Sequence, residues 1–146
     1  MFSRHEINTL REIVAMHYRS MPNYLMYAHP WFKPGKSQQL EILRSVANDQ
    51  SHMVEKVVHL VEDQGEPVAM GEFPMEFTGY HDLSFSYLLK ILLGYQERFV
   101  ARLEQLGESL EAGGMAKNLV EEAIGMAIGH LENLREVADN KGVPTA

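Results

Sequence analysis

The chain has 146 residues, 45% of them hydrophobic, no cysteine and a formal net charge of −7. That length and apolar content suit one domain spanning residues 1–146 with its own core, and the missing cysteine excludes disulfides, thiolate metal sites and cysteine nucleophiles. Acidic residues spread along the chain oppose nucleic acid and anionic membrane surfaces, and the absence of an apolar run near the ~20 residues of a membrane span, or of an apolar leader, predicts a soluble protein with the cytoplasm as default compartment.

Ser3-Arg4-His5-Glu6 fits a capping box, in which hydroxyl and carboxylate satisfy free backbone donors at a helix start, so a first helix is expected there. Its apolar stripe runs through Ile7, Leu10, Ile13, Val14, Met21, Tyr24 and Leu25, with Pro22 expected to kink it and His29-Pro30 and Lys33-Pro34-Gly35 to close it. Tyr27, Trp31 and Phe32 at this turn suit an end cap or a dimer contact. Ser37 is the expected cap of a second helix, whose stripe of Leu40, Leu43, Val46, Ala47, Met53, Val54, Val57 and Val61 stops at Gly65 and Pro67.

From Gly65 to Asp82 the periodicity gives way to turn formers and large apolar residues, which reads as a long ordered connection. Within it, Phe73-Pro74-Met75-Glu76-Phe77 suits a lid or a staple across the fold. A third stripe follows in Leu88, Leu89, Leu92, Phe99, Leu103, Leu106 and Leu110, ending at Gly113-Gly114, and a fourth in Leu119, Val120, Ala123, Ala127, Leu131, Leu134 and Val137, ending at Asn140-Lys141-Gly142. Gly125-x-x-x-Gly129 in the fourth helix reads as close helix packing, not a nucleotide site.

Helices of roughly 25 residues are about 38 Å long, and a connection of about 18 residues can span that length. The second and third helices can therefore run parallel. The expected architecture is all-α: a four-helix bundle with one long crossover between helices 2 and 3, the connectivity of ferritin-like bundles.

Each stripe carries a polar residue at mid-length: His17, Gln50, Gln96 (with Tyr95 beside it) and His130. Their neighbours three and four positions away are apolar, which places all four inside. A polar layer in a helical core implies either a bound ligand or a hydrogen-bonded network.

In topology, nearly the whole chain resembles the ferritin-like superfamily, in particular bundles of the bacterioferritin and rubrerythrin type. Such proteins place a Glu on one helix and Glu-x-x-His on the next, repeat the pattern, and so hold two metal ions. Both halves here keep an interval of 33 positions, from 17 to 50 and from 97 to 130. Carried over, the first Glu falls on His17, the next motif on Gln50-Ser51-His52-Met53, the third Glu near Gln96 or Glu97, and the last motif on His130-Leu131-Glu132-Asn133. No inward carboxylate remains, whereas a di-iron pair needs several to neutralise and bridge the ions. Asp49-Gln50-Ser51-His52 offers an acid and a histidine at i, i+3, but phase sets His52 on a polar face with His59, and Asp49 at the boundary.

Three readings follow. His17, Gln50, Gln96 and His130, with Tyr95, form a hydrogen-bonded layer that fixes helix register. Alternatively, His17 and His130 supply nitrogen ligands and Asp49 or Glu97 a carboxylate, a set that suits zinc, iron or manganese. In the third, Gln50, Tyr95 and Gln96 border a small-molecule pocket enclosed by the crossover. The expected function is a non-catalytic binding or structural module, a homo-oligomer with a dimer favoured, with no resident cofactor and no catalytic residue assigned. A metal-binding or oxidoreductase protein is the alternative.

Overall fold

The computed structural model describes residues 1–28, 37–80 and 83–140. They form α1 (Arg4–Tyr18), α2 (Met21–Ala28), α3 (Ser37–Glu62), a 3-10 helix (Met75–Tyr80), α4 (Phe85–Glu108) and α5 (Met115–Asn140), with no strand among the described residues. The turn expected around His29-Pro30 and Lys33-Pro34-Gly35, the residues Trp31 and Phe32, and the stop at Lys141-Gly142 lie outside them.

The capping box forms as expected: the Ser3 hydroxyl accepts from the Glu6 N–H at 3.1 Å, and the Glu6 carboxylate accepts from the Ser3 N–H at 2.8 Å. The kinked first helix does not; two helices stand in its place. Pro22 has no N–H to offer the Tyr18 carbonyl four residues back, and its ring crowds that carbonyl. Asn23 takes over, its Nδ2 donating to the Tyr18 oxygen at 2.7 Å. Arg19 closes α1 through its N–H to the Ala15 carbonyl at 2.9 Å. Ser20 opens α2, its hydroxyl accepting from the Asn23 N–H at 3.2 Å, and Pro22 falls in the first turn, where backbone N–H groups have no helical partner.

The stripe residues are buried or half-buried on every helix. Most of them fall into two apolar clusters. One joins Leu10 and Val14 of α1 to Val57 and Val61 of α3, Leu103 and Leu106 of α4, and Val120 and Ala123 of α5. The other joins Met21 and Leu25 of α2 to Leu43 of α3, Leu88 and Leu92 of α4, and Leu134 and Val137 of α5. Each cluster thus draws on one half of α3, α4 and α5, with α1 serving one and α2 the other. Each fully buried aliphatic side chain contributes about 1.5–3 kcal/mol, so the clusters carry the fold.

The chain leaving α3 is tied to α1. Arg4 and Arg11 both grip the Glu66 carboxylate, at 2.7 and 3.0 Å, and Arg11 also donates to the Pro67 carbonyl at 2.8 Å. Gly71 then passes over Arg19 with φ of 76°, a left-handed conformation that favours glycine, and a Cβ there would sit 3.1 Å from the flexible arginine side chain. Phe77 is buried in the second cluster and Phe73 packs against it beside Tyr24, while Met75 is exposed; the segment staples itself through two rings.

Two expectations about glycine are corrected. Gly113 has the left-handed φ of 81°, but α4 already ends at Glu108, where Ser109 caps it. The Gly125-x-x-x-Gly129 pair is not a close-packing seam: a Cβ at either position meets no atom within 4 Å. The close approach of α4 to α5 is at Gly107 instead, where a Cβ would stand 3.3 Å from Val120, and the Gly107 carbonyl accepts from Lys117 Nζ at 2.7 Å.

Candidate functional site

The polar layer lies between the two clusters, at the height where α1 gives way to α2. His17, Gln50, Gln96 and His130 are 1%, 1%, 0% and 5% exposed. A fifth member, Ser20, is fully buried. Its hydroxyl donates to Gln50 Oε1 at 2.5 Å while accepting from the Asn23 N–H, so one side chain both caps α2 and anchors the layer. The sequence held one signal of this, a serine two residues before a proline, where a helix cap is favoured.

Each layer side chain spends one polar atom on the protein. His17 Nδ1 lies 2.7 Å from the Ile13 carbonyl; a carbonyl only accepts, so this nitrogen carries the proton. Gln96 Nε2 donates to the Ala127 carbonyl at 3.1 Å. His130 Nε2 donates to Asp49 Oδ2 at 2.8 Å across the α3–α5 interface. The other atom of each pair, His17 Nε2, Gln50 Nε2, Gln96 Oε1 and His130 Nδ1, is buried without a protein partner. Buried polar atoms are nearly always satisfied by protein or ordered water, so these four call for partners from outside the chain. With His17 neutral, its Nε2 and Gln96 Oε1 are acceptors and Gln50 Nε2 is a donor.

Burial pushes the His17 imidazole down to about 4; the bond to Ile13 opposes the shift and the charge of His130 adds to it. His17 is therefore neutral at physiological pH, with a bare Nε2 lone pair. Its ring also meets the edge of Phe99 at a centroid distance of 5.0 Å.

Compared with protein-family models, with curated proteins and with solved structures, the chain matches none. Its own geometry carries the reading that follows.

The candidate residues separate. His130 and Asp49 are brought together, and His17 stands close enough to feel His130. Glu97 points outward: its side chain is 56% exposed and lies 3.8 Å from Arg135. His52 is exposed, as its phase predicts, beside Asp49, Lys56 and Glu122 in a surface hollow of about 250 Å³. Among the described residues, no group of three or more His, Asp or Glu side chains is arranged to hold a metal ion. Tyr95 stands half-buried beside the layer, its ring 6.1 Å from Phe99. Burial raises its phenol to about 12, against a backbone hydrogen bond at Met21 that works the other way.

A cavity of about 470 Å³, open to solvent, reaches the layer from outside. His17 forms part of its wall, together with Tyr18 and Tyr27, Ser51 and Glu55 of α3, and Phe73 from the long connection. Among the described residues, neither lysine nor arginine lines it.

Proposed function

We propose that the chain is a ferritin-like four-helix bundle in which a hydrogen-bonding layer replaces the di-metal centre, and that it serves as a non-catalytic binding module. In this reading α1 and α2 are one broken rod, α3 and α4 run parallel, and the connection between them is the crossover. The pairing of helix halves in the two apolar clusters supports that course: the C-terminal halves of α3 and α4 share one cluster and their N-terminal halves the other.

One observation carries the functional part. The positions where the resemblance implies carboxylates hold His17, Gln50, Gln96 and His130, each buried with an unpaired polar atom, while Asp49 is engaged by His130 and Glu97 faces out. A layer with unpaired donors and acceptors but without charge-neutralising acids suits a polar organic guest better than two divalent ions. His17 is not equipped for acid–base work near neutrality: its pKa is held at about 4, and catalytic groups work best with pKa values near the operating pH.

Elemental analysis of the full chain tests this, first as purified without added metal and again after exposure to Fe(II), Mn(II) and Zn(II) followed by desalting. The expected result is no stoichiometric ion. One or more ions per chain, lost together in His17→Ala and His130→Ala, contradicts it.

A further inference from the structure

Beyond the layer, we propose that the surface hollow between α3 and α5 binds a soft monovalent cation, Cu(I), through the imidazole of His52 and the thioethers of Met53 and Met126. The His, Asp and Glu side chains of the described residues make no metal site by themselves. In this hollow, sulfur completes the donor set.

Two bridges fix how α3 and α5 face each other here. Asp49 Oδ2 accepts from His130 Nε2 at 2.8 Å. About two turns further along α3, Lys56 Nζ donates to both carboxylate oxygens of Glu122, at 3.0 and 2.8 Å. Residue numbers rise along α3 as they fall along α5, so the helices run antiparallel, and the level midway between the bridges falls on His52 and Met53 of α3 and on Met126 of α5. Asp49, His52, Met53 and Lys56 share one face of α3 by their i, i+3, i+4, i+7 spacing, and Glu122 and Met126 share one face of α5. All six line the hollow. His52 is exposed, Met126 half-buried and Met53 mostly buried, which sets an imidazole at the mouth and a thioether at the floor.

The same bridges decide which donors are left. Lys56 holds both oxygens of Glu122, and Asp49 gives one oxygen to His130, so the hard oxygen ligands that suit manganese or iron are largely engaged. One imidazole and two sulfur atoms stay open, and thioethers select Cu(I). Charge agrees: among the described residues the lining sets the carboxylates of Asp49 and Glu122 against the single ammonium of Lys56, a balance that favours a cation. Size agrees as well. The volume of about 250 Å³ lies below the usual range for small-molecule sites, about 300–1,000 Å³, and the unbranched, rotatable methionine side chain lets both sulfurs close on one ion.

Isothermal titration of the full chain with Ag(I), a redox-inert ion of the same charge and softness, is the test, run in chloride-free buffer at neutral pH and repeated anaerobically with Cu(I). The expected result is one equivalent bound, which Zn(II) does not displace. Loss of even an outer-shell partner weakens a metal site by about 10–100-fold, so Met126→Leu and His52→Gln are each expected to weaken binding at least tenfold. Leucine keeps the volume of Met126 and His52 is exposed, so both variants are expected to fold. Met115→Leu removes an exposed thioether outside the hollow and is expected to leave the affinity unchanged. Absence of binding, displacement by Zn(II), or full affinity in Met126→Leu or His52→Gln overturns the proposal. Equal weakening in Met115→Leu marks an adventitious ion only and overturns it too. An ion lost in Met126→Leu but kept in His17→Ala belongs to this hollow, and one lost in both His17→Ala and His130→Ala belongs to the layer, so this proposal and the reading of the layer fail separately.

Discussion

His17 shows how burial converts a common side chain into a specific one. Folded, its pKa is held at about 4, against an ordinary value of 6.5. Between those values the unfolded chain takes up a proton that the folded chain refuses, so this residue's contribution to stability is complete above pH 6.5 and is lost as pH falls toward 4. The loss amounts to about 3 kcal/mol. Urea denaturation of wild type and His17→Leu at pH 7 and pH 4.5 checks it: wild type is expected to lose more stability than the variant over that interval, and parallel losses contradict the assignment. Asp49 acts differently, since its role is to occupy His130 Nε2. Asp49→Ala strands a buried donor, and the midpoint of thermal unfolding should fall by an amount corresponding to about 1–3 kcal/mol.

At the level of elements, the α1–α2 break is tied directly to the layer through Ser20. Ser20→Ala removes a helix cap and the partner of Gln50 together, so a loss of about 1–3 kcal/mol is expected in chemical denaturation; a loss within a few tenths contradicts the double role. Gly125 and Gly129 point the other way. A methyl group at either site enters open space in the middle of α5, and Gly→Ala there should stabilise by about 0.5–1 kcal/mol per site, read as a higher melting temperature. The stripes were legible in the sequence because a buried helical face repeats every three to four residues whatever it packs against. The polar layer was legible for the same reason, as four interruptions in otherwise apolar rows. The break at Arg19–Ser20 was not, because Pro22 signals a disturbance without saying whether it bends a helix or ends one; Asn23, by taking the Tyr18 carbonyl, makes the ending possible. Asp49 and Glu97 both sit at face boundaries, where periodicity is silent, and residues on other helices, His130 and Arg135, lie beside them. The glycine pair in α5 misled because its spacing brings backbones together only where a second helix lies over that face.

Across the whole molecule, two apolar clusters enclose one polar layer, and an outer cavity reaches it past His17. No helix among the described residues is long and apolar enough to cross a membrane. The clusters hold the helices together, and the layer between them keeps four buried polar atoms without a protein partner. The ring nitrogens of His17 report on this arrangement most directly. A two-bond 15N–1H correlation spectrum of the labelled chain, recorded at neutral pH with and without a metal chelator, is expected to show one protonated nitrogen, Nδ1, and one bare nitrogen, Nε2, unchanged by the chelator. A spectrum of a doubly protonated ring, or of a metal-coordinated Nε2 released by the chelator, contradicts it.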